Sequence, residues 1–292
     1  MSIIKVEGLT KDYGDGRGIF DINLEVNEGE IFGYVGTNGS GKTTTIRNML
    51  GFVYPDKGKI DIGGLDPAVS SAELMKKVSY IPGEIAFPNL KTGADFLKLQ
   101  AEYSGITDYS RMNYIADKLG LDTTADLKRM SKGMKQKTAI VAAFMSDRDI
   151  MILDEPTTGL DPLMRDVFIE LINEEKKKGR TVFLSGHIFE ELEEVCDRVA
   201  MLKDGRIIDV INMYELRHSS DRNFEVVFES AQAANTFKEA FDGAYAQGNS
   251  VFVALPSKRT DELFKTLKQF KVLQIHEKHT TLEEVFMKDY DL

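Results

Sequence analysis

The chain has 292 residues, of which 42% are hydrophobic. Its formal net charge of −10 at pH 7 argues against the broad basic surface of a nucleic-acid-binding protein, so we expect no nucleic-acid partner. The single cysteine, Cys196, excludes an internal disulfide framework and suits a reducing cytosol. No apolar run reaches the roughly 18 residues of a membrane-spanning helix, and the strand-like start at Met1 to Glu7 lacks the apolar core of a signal peptide.

The first part of the chain combines short strands with one glycine-rich turn. Apolar periodicity predicts strands over Ile3–Leu9, Phe20–Val26 and Glu30–Val35, and a helix over Thr43–Leu50. The turn between the third strand and this helix fits the spacing G-x-x-x-x-G-K-[ST] of a phosphate-binding P-loop. With one residue of the helix added, the predicted nucleotide-binding residues are Gly36, Thr37, Asn38, Gly39, Ser40, Gly41, Lys42, Thr43 and Thr44.

This P-loop predicts a nucleoside triphosphate site. Its glycines let the backbone curl so that successive N–H groups converge on one anion, and the following helix adds the positive end of its dipole. The ammonium of Lys42 supplies a positive charge for the β- and γ-phosphates, and the hydroxyl of Thr43 is a predicted ligand of Mg²⁺. A strand-to-helix turn without a ligand would also contain glycines, but it would not require the full spacing.

The middle of the chain changes from strands to helices and back. Strands are predicted over Gly58–Ile62 and Lys77–Ile81, followed by a helical block at about residues 84–146. The helices of this block are expected at Gly93–Tyr103, Arg111–Leu119 and Gly133–Met145. Strands then alternate with helices, which is typical of a mainly parallel sheet covered on both faces. These later elements are strand 149–153, helix 162–177, strand 181–185, helix 188–195, strand 198–203 and strand 206–210.

A smaller second domain is predicted beyond the polar stretch at residues 217–222, which has the composition of a linker. We place the main domain at residues 1–218 and a small α+β domain at residues 219–292. The expected elements of the second domain are Phe224–Phe228, Ala231–Phe241, Val251–Leu255, Asp261–Phe270, Val272–Ile275 and a closing helix at Thr281–Lys288.

Two acidic residues, Asp154 and Glu155, follow the apolar strand 149–153 and match the pattern called Walker B. Carboxylates at the carboxyl edge of such a sheet lie beside the P-loop, where ligands collect. Asp154 is therefore predicted to hold Mg²⁺, directly or through water, and Glu155 to polarise the attacking water. Two adjacent acids alone are often a solvated turn, and it is the upstream P-loop that favours the catalytic interpretation.

The segment before that strand introduces a family resemblance. The run Met130-Ser131-Lys132-Gly133-Met134 resembles the L-S-G-G-Q signature of the ABC ATPases, which stands just upstream of Walker B. Asp161 matches the D-loop of that family, His187 its switch histidine, and Tyr13 the aromatic residue that stacks on adenine. These matches cover about residues 3–210 and occur in the order found in the family.

The resemblance implies a fold and a dimeric mechanism. The fold would be the α/β P-loop fold of ABC ATPases, with a mainly parallel core sheet, an N-terminal antiparallel β subdomain and a helical subdomain. Two copies, or this chain and a related subunit, would face head to tail, with each ATP between one P-loop and the signature of the other chain. Ser131, Gly133 and Met134 would then act in trans, and Glu155 and His187 would act at the γ-phosphate.

Two departures from the family's pattern concern its signature and its Q-loop. Lys132 and Met134 replace the first glycine and the glutamine of the signature. The glutamine expected after Tyr80-Ile81-Pro82 is replaced by Gly83, which Glu84 follows. We therefore consider Glu84 a candidate for the contact with water or Mg²⁺ that the missing glutamine makes in the family.

Three functions are open to such a protein: an ATPase subunit of a transporter, a soluble ABC ATPase of translation or repair, and a nucleotide-gated regulatory module. One P-loop, no sustained heptad repeat between residues 36 and 154, and the presence of Glu155 and His187 favour the transporter subunit. The ending from His279 to Met287 resembles ATPase subunits of bacterial drug-, antibiotic- and peptide-export systems.

Such a subunit would be cytoplasmic and peripheral on the inner face of the cell membrane, because it binds separate integral-membrane permease subunits. In the family, the permease inserts a short helix into a groove beside the helical subdomain, which points here to Glu84–Tyr103. The apolar candidates for this contact are Phe87, Leu90, Phe96, Leu97 and Tyr103. The expected cargo is a drug, antibiotic, peptide or lipid-like molecule.

Overall fold

The computed structural model describes residues 1–218, 221–256, 259–278 and 280–289 and separates into two compact units, Met1–Asn212 and Met213–Leu292. This division lies slightly before the predicted boundary at 218/219, because the short helix Met213–Arg217 groups with the second unit. Ser219 and Ser220 of the predicted linker and His279 of the tail lie outside the described residues.

The first unit contains the predicted strands and helices, and it adds one α-helix and a single 3-10 turn at Leu127–Arg129. Its strands are β1 Ser2–Asp12, β2 Gly18–Asn27, β3 Ile31–Gly36, β4 Lys57–Ile62, β5 Val78–Ile81, β6 Ile150–Asp154, β7 Thr181–Gly186, β8 Arg198–Lys203 and β9 Arg206–Asn212. Its helices are α1 Lys42–Met49, α2 Pro67–Lys77, α3 Gly93–Tyr103, α4 Ser110–Lys118, α5 Lys132–Phe144, α6 Pro162–Lys177 and α7 Phe189–Val195. The unpredicted helix is α2, although its start carries recognisable signals: Asp66 accepts a hydrogen bond from the N–H of Ala68, and Pro67 occupies the first turn.

Two sheets organise this unit. Six strands form one sheet in the order β5-β6-β7-β3-β8-β9, in which every pair is parallel except β8 with β9. Strands β2, β1 and β4 form a separate antiparallel sheet. Because β3, β6 and β7 are parallel and in register, their carboxyl ends meet at one edge, where Val35 pairs with Gly186 and Asp154 with Ser185. The P-loop, the Walker B acids and His187 therefore emerge from the same edge of the sheet.

Helices α3, α4 and α5 form the predicted helical block between β5 and β6. A network of ion pairs connects α4 of this block with α6 of the core. The guanidinium of Arg111 on α4 contacts Glu174 at 2.7 Å and Glu175 at 2.8 Å. Glu175 is fully buried and also lies 2.7 Å from Arg180. Breaking a buried, multiply paired carboxylate of this kind is strongly destabilising, so the network fixes the helical block on the core.

The carboxylate of Glu174 makes this network sensitive to acid. Partial burial opposes its ionisation, but hydrogen bonds from Arg111, Tyr114 and Lys118 outweigh burial and lower the pKa of Glu174 from 4.5 to about 2. The unfolded carboxyl binds protons more tightly than the folded one between these values, so its stabilisation is complete above about pH 4.5 and is lost as the pH falls toward 2. We expect Glu174→Gln to reduce the free energy of unfolding by on the order of 2 kcal/mol at pH 7 and by almost nothing near pH 2.

Urea unfolding at pH 7, 4 and 2.5 tests this expectation, with Glu73→Gln as the control. Glu73 is an exposed glutamate on α2 and forms no ion pair in the part of the chain that the structure describes. A difference between wild type and Glu174→Gln that does not change with pH would contradict the pKa assignment.

The second unit is a four-stranded antiparallel sheet with the strand order β11-β12-β10-β13. Its strands are β10 Asp221–Phe228, β11 Tyr245–Gln247, β12 Ser250–Pro256 and β13 Val272–Lys278, and its helices are α8 Met213–Arg217, α9 Ala231–Lys238, α10 Thr260–Leu267 and α11 Leu282–Asp289. Alternate residues of β10 and β12, such as Val226 and Val253, form a core with Phe237 and Leu263. The short strand β11 was not predicted, because three residues are too few for a periodic pattern.

Candidate nucleotide site

The P-loop borders a cavity of about 240 Å³ at the carboxyl edge of the core sheet. The residues that line this cavity are Asn38, Gly39, Gly41, Lys42, Thr43, Thr44 and Glu155. Gly41 has a φ of 111°, and a Cβ atom added to it would lie 2.5 Å from Ile19, so only glycine fits here. A Cβ atom on Gly36 would lie 2.5 Å from both the carbonyl of Leu202 and the hydroxyl of Ser40. Backbone and side-chain atoms thus pack closely against the loop at both glycines.

The ammonium group of Lys42 lies inside this loop, and the residue is only 5% exposed. It donates hydrogen bonds to the carbonyls of Gly36 at 2.8 Å and Thr37 at 3.2 Å. Its Nζ also lies 3.3 Å from Oε1 of Glu155. The charge of Lys42 is therefore held at the floor of the cavity and is balanced by the Walker B glutamate.

Asp154 ends β6 and is completely buried. Its Oδ1 accepts a hydrogen bond from the hydroxyl of Ser185 at 2.6 Å, whereas its buried Oδ2 has no hydrogen-bond partner in the structure. A buried carboxylate oxygen without a partner is unfavourable unless a cation or a donor binds it, so Asp154 fits the predicted Mg²⁺ site. Among the described residues, no three His, Cys, Asp or Glu side chains cluster to bind a metal by themselves, so ligand oxygens from the nucleotide would have to complete the coordination.

Glu155 lies directly after Asp154 in a left-handed backbone conformation with a φ of 47°. Such a conformation is strained for a residue with a side chain, and its N–H donates to the carbonyl and hydroxyl of Ser185 at 3.2 and 3.1 Å. Its Oε2 lies 3.5 Å from Nδ1 of His187. The turn therefore places Glu155 at the cavity, with His187 beside it.

Tyr13 lies in the turn between β1 and β2 and is 54% exposed. It does not line the phosphate cavity. The end of this turn does approach the P-loop, because a Cβ atom on Gly41 would lie 3.3 Å from the carbonyl of Gly18. An exposed tyrosine in this turn is consistent with stacking on a base, and that role remains a prediction.

The signature residues and Asp161 lie at helix starts and do not line the phosphate cavity of their own chain. Ser131 caps α5 by accepting the N–H of Met134 at 3.2 Å, and Asp161 caps α6 by accepting the N–H of Met164 at 3.0 Å. Gly133 packs so closely on the D-loop that an added Cβ atom would lie 2.9 Å from the carbonyl of Gly159. The signature and the D-loop thus form one packed surface.

Glu84 is exposed and borders a different cavity, of about 320 Å³, together with Lys132, Lys135 and Gln136. The residue beside Asp154 is Gly83, since a Cβ atom added there would lie 3.0 Å from Oδ2 of Asp154. Glu84 does not line the phosphate cavity, and its role as a metal ligand remains a prediction.

Sequence reasoning missed three polar residues that hold this site together. Ser185 binds Asp154, and Thr157 donates to Glu191 at 2.7 Å. Ser185 could have been found, since it is a polar residue at the carboxyl end of the strand next to Walker B. The pair Thr157 and Glu191 joins two segments that are distant in the chain, so local patterns carry no signal for it.

Comparison with known proteins assigns the family. A model of the ABC transporter family matches residues 19–158. The bacitracin transport ATP-binding protein BcrA of Bacillus licheniformis is 33% identical over 227 residues, which are 77% of this chain and 74% of that protein. The chain belongs to the ABC transporter family. An uncharacterized ABC transporter ATP-binding protein of Bacillus subtilis, YcbN, is 29% identical in an alignment of 299 positions that covers 98% of this chain and 96% of that protein.

A solved structure of an ATP-binding subunit of an ABC transporter is also similar to this ABC ATPase. It has a TM-score of 0.68 and 31% sequence identity, and the match covers 74% of this chain and 92% of that one. These comparisons confirm the predicted ABC ATPase fold, the ATPase activity and the resemblance to export-type subunits. Within the described residues, no helix has the length and apolar character needed to cross a membrane.

Proposed function

We propose that this ABC ATPase hydrolyses Mg-ATP to power a separate integral-membrane permease that exports a drug, antibiotic, peptide or lipid-like cargo. The observation that carries the proposal is the convergence of Lys42, the unpaired Oδ2 of Asp154 and the Glu155–His187 pair at one edge of the sheet. The relative from Bacillus licheniformis, which is 33% identical to this chain over 227 residues, is named for bacitracin transport.

The chain's own residues fit Mg²⁺ as the cofactor. Asp154 and the hydroxyl of Thr43 would hold the ion, and oxygens of the β- and γ-phosphates would complete its coordination. When bound, Mg²⁺ neutralises part of the negative charge on those phosphates. The hydrogen bond from Ser185 holds Oδ1 of Asp154, so its second oxygen remains the one available to the cation.

Bound ATP would replace Glu155 as the partner of Lys42. Lys42 contacts Glu155 at 3.3 Å, and a polyphosphate in the cavity offers Lys42 a stronger partner because it carries several negative charges. The released carboxylate of Glu155 would accept a proton from water as that water attacks the γ-phosphate in line. His187, which lies 3.5 Å from Glu155, would donate a hydrogen bond to the γ-phosphate oxygens.

Two copies would close around ATP head to tail. Ser131, Gly133 and Met134 lie outside the phosphate cavity of their own chain, so a second chain is needed to bring a signature onto the γ-phosphate. The exposed start of α5 has backbone N–H groups suited to that anion. Hydrolysis would remove the shared γ-phosphate and weaken the closed pair.

The permease would bind a groove of about 320 Å³ beside the helical block. Phe87 and Phe96 line this groove with their rings 4.7 Å apart, together with Ile85 and Tyr80. Burial, and then the negative charge of Asp154, raises the pKa of Tyr80 to about 12, so its hydroxyl stays protonated at neutral pH. Contiguous apolar surface of this kind suits a short amphipathic helix of a partner.

Three of the five apolar candidates for this contact are not part of the groove. Leu97 is fully buried in the protein core, which corrects its prediction as a contact residue, because the inward face of α3 holds it. Leu90 and Tyr103 do not line the groove, and Tyr103 is 76% exposed on the surface.

Affinity purification from detergent-solubilised membranes of the native host tests the proposed function. We expect the tagged protein to retain a protein with several membrane-spanning segments, Phe87→Ser to lose it, and Tyr103→Ser, the surface control outside the groove, to keep it. Recovery of ribosomal or chromosomal proteins in place of a membrane protein would overturn the transporter function and favour a soluble ABC ATPase.

A further inference from the structure

A largely buried glutamate, Glu191 on α7, connects the loop that follows Glu155 with the helix that follows His187. The side chain of Glu191 is only 14% exposed. Its Oε2 accepts a hydrogen bond at 2.7 Å from the hydroxyl of Thr157, which is itself buried. Its Oε1 lies 3.5 Å from Nε of Arg165 on α6, and neither of these two buried atoms has a hydrogen-bond partner.

Two chain segments and two side-chain contacts join Glu155, Thr157, Glu191 and His187 into a closed ring. Thr157 stands two residues after Glu155 in the loop between β6 and α6, and Glu191 stands four residues after His187, in the first turn of α7. The contact between Oε2 of Glu155 and Nδ1 of His187, at 3.5 Å, closes the ring on the side of the cavity. The hydrogen bond between Thr157 and Glu191 closes it on the buried side.

A carboxylate at this place is unfavourable unless its neighbours compensate for lost solvent. Burial raises the pKa of Glu191, and the hydroxyl of Thr157, the charge of Arg165 and the charge of His187 oppose that rise. The short bond from Thr157 is the best-formed of these contacts, because the approach of Arg165 is long and lacks hydrogen-bond geometry. The bond therefore holds the loop more firmly than the ion pair does.

We propose that Glu191 is a positioning residue for ATP hydrolysis: it holds Thr157 and thereby fixes the loop of Glu155 relative to His187. The side chains of Glu155 and His187 can then both reach the same γ-phosphate. This inference rests on the proposed roles of Glu155 and His187. A small displacement of either group lowers the rate of an in-line attack without changing how tightly the P-loop holds ATP.

Steady-state ATPase assays with two disruptive variants test the proposal. Glu191→Ala removes the acceptor, and Thr157→Val removes the donor while keeping the shape of the side chain. We expect each to lower kcat roughly tenfold, which is the scale of one lost hydrogen bond to a charged group, with KM for ATP unchanged. Because both break the same bond, the double variant should be about as slow as either single variant.

Two further variants separate positioning from a general loss of structure. Glu191→Gln keeps an oxygen that accepts from Thr157, so it should recover most of the activity. Glu194→Ala changes an exposed glutamate of the same helix and should leave kcat unchanged. Normal kcat in Thr157→Val, or losses that multiply in the double variant, would overturn the positioning role.

Glu155→Gln measured in the same assay distinguishes failure of the positioning role of Glu191 from failure of the catalytic role of Glu155. If Glu155→Gln is slow while Thr157→Val has the rate of wild type, the positioning role fails and the catalytic assignment stands. If Glu155→Gln itself turns over at the normal rate, the proposed chemistry fails, and the positioning role fails with it.

Discussion

Replacing Glu155 with glutamine is expected to lower kcat by at least about a hundredfold while ATP still binds, because a positioned catalytic base contributes on that scale. The carboxylate lies at the phosphate cavity, 3.5 Å from His187, and glutamine keeps its shape without accepting a proton. The change also removes the anionic partner that Lys42 has at 3.3 Å, so the affinity for ATP should not fall.

Phosphate release and calorimetric ATP titration measure these two quantities separately. Glu73→Gln, the same chemical change at an exposed position on α2, serves as the matched control and should behave as wild type. A normal rate of phosphate release by Glu155→Gln would show that another group is the base.

Replacing Lys42 with alanine should weaken ATP binding by roughly tenfold to a hundredfold, which corresponds to losing charge-assisted hydrogen bonds to phosphate. Lys42 is the cation at the floor of the cavity, and its ammonium already has a fixed geometry through the carbonyls of Gly36 and Thr37. This pre-organisation means that little side-chain freedom remains to be lost when the phosphates arrive.

The loss should appear in an equilibrium titration with ATP and should be reproduced by Lys42→Met, which keeps the apolar stem of the side chain. Lys76→Ala on α2 is the control, since Lys76 is exposed and remote from the P-loop in the chain. Equal melting temperatures of the variants exclude unfolding as the cause. An unchanged ATP affinity in Lys42→Ala would contradict the assignment of residues 36–43 as a P-loop.

The parts of this protein that could be predicted are those encoded by local spacing. The P-loop fits one fixed pattern, and its strand-to-helix context follows from periodicity, so the fold and the phosphate site were both accessible. The bounds of α3 and α6 match their predictions, because a capping residue and a periodic apolar face mark each of them. Asp154 was accessible for a related reason, since it ends an apolar strand.

The parts that could not be predicted depend on contacts between distant segments. Lys42 and Glu155 form an ion pair across the cavity, and Thr157 bonds to Glu191 on a later helix. Neither pairing leaves a trace in the local pattern, because both depend on how the sheet brings β3, β6 and β7 together. Glu84 is a candidate only because it follows the position of the missing glutamine; it lines a different cavity, and its role stays a prediction.

The molecular mass of Glu155→Gln in solution, measured by light scattering with Mg-ATP and with Mg-ADP, tests most directly whether two chains close around ATP. We expect about twice the chain mass of 32.8 kDa with ATP, and a single chain with ADP. Ser131→Arg should prevent the pair, because it places a bulky side chain at the signature surface. A protein that remains a single chain with ATP, or that pairs equally well with ADP, would contradict ATP-driven closure of two copies.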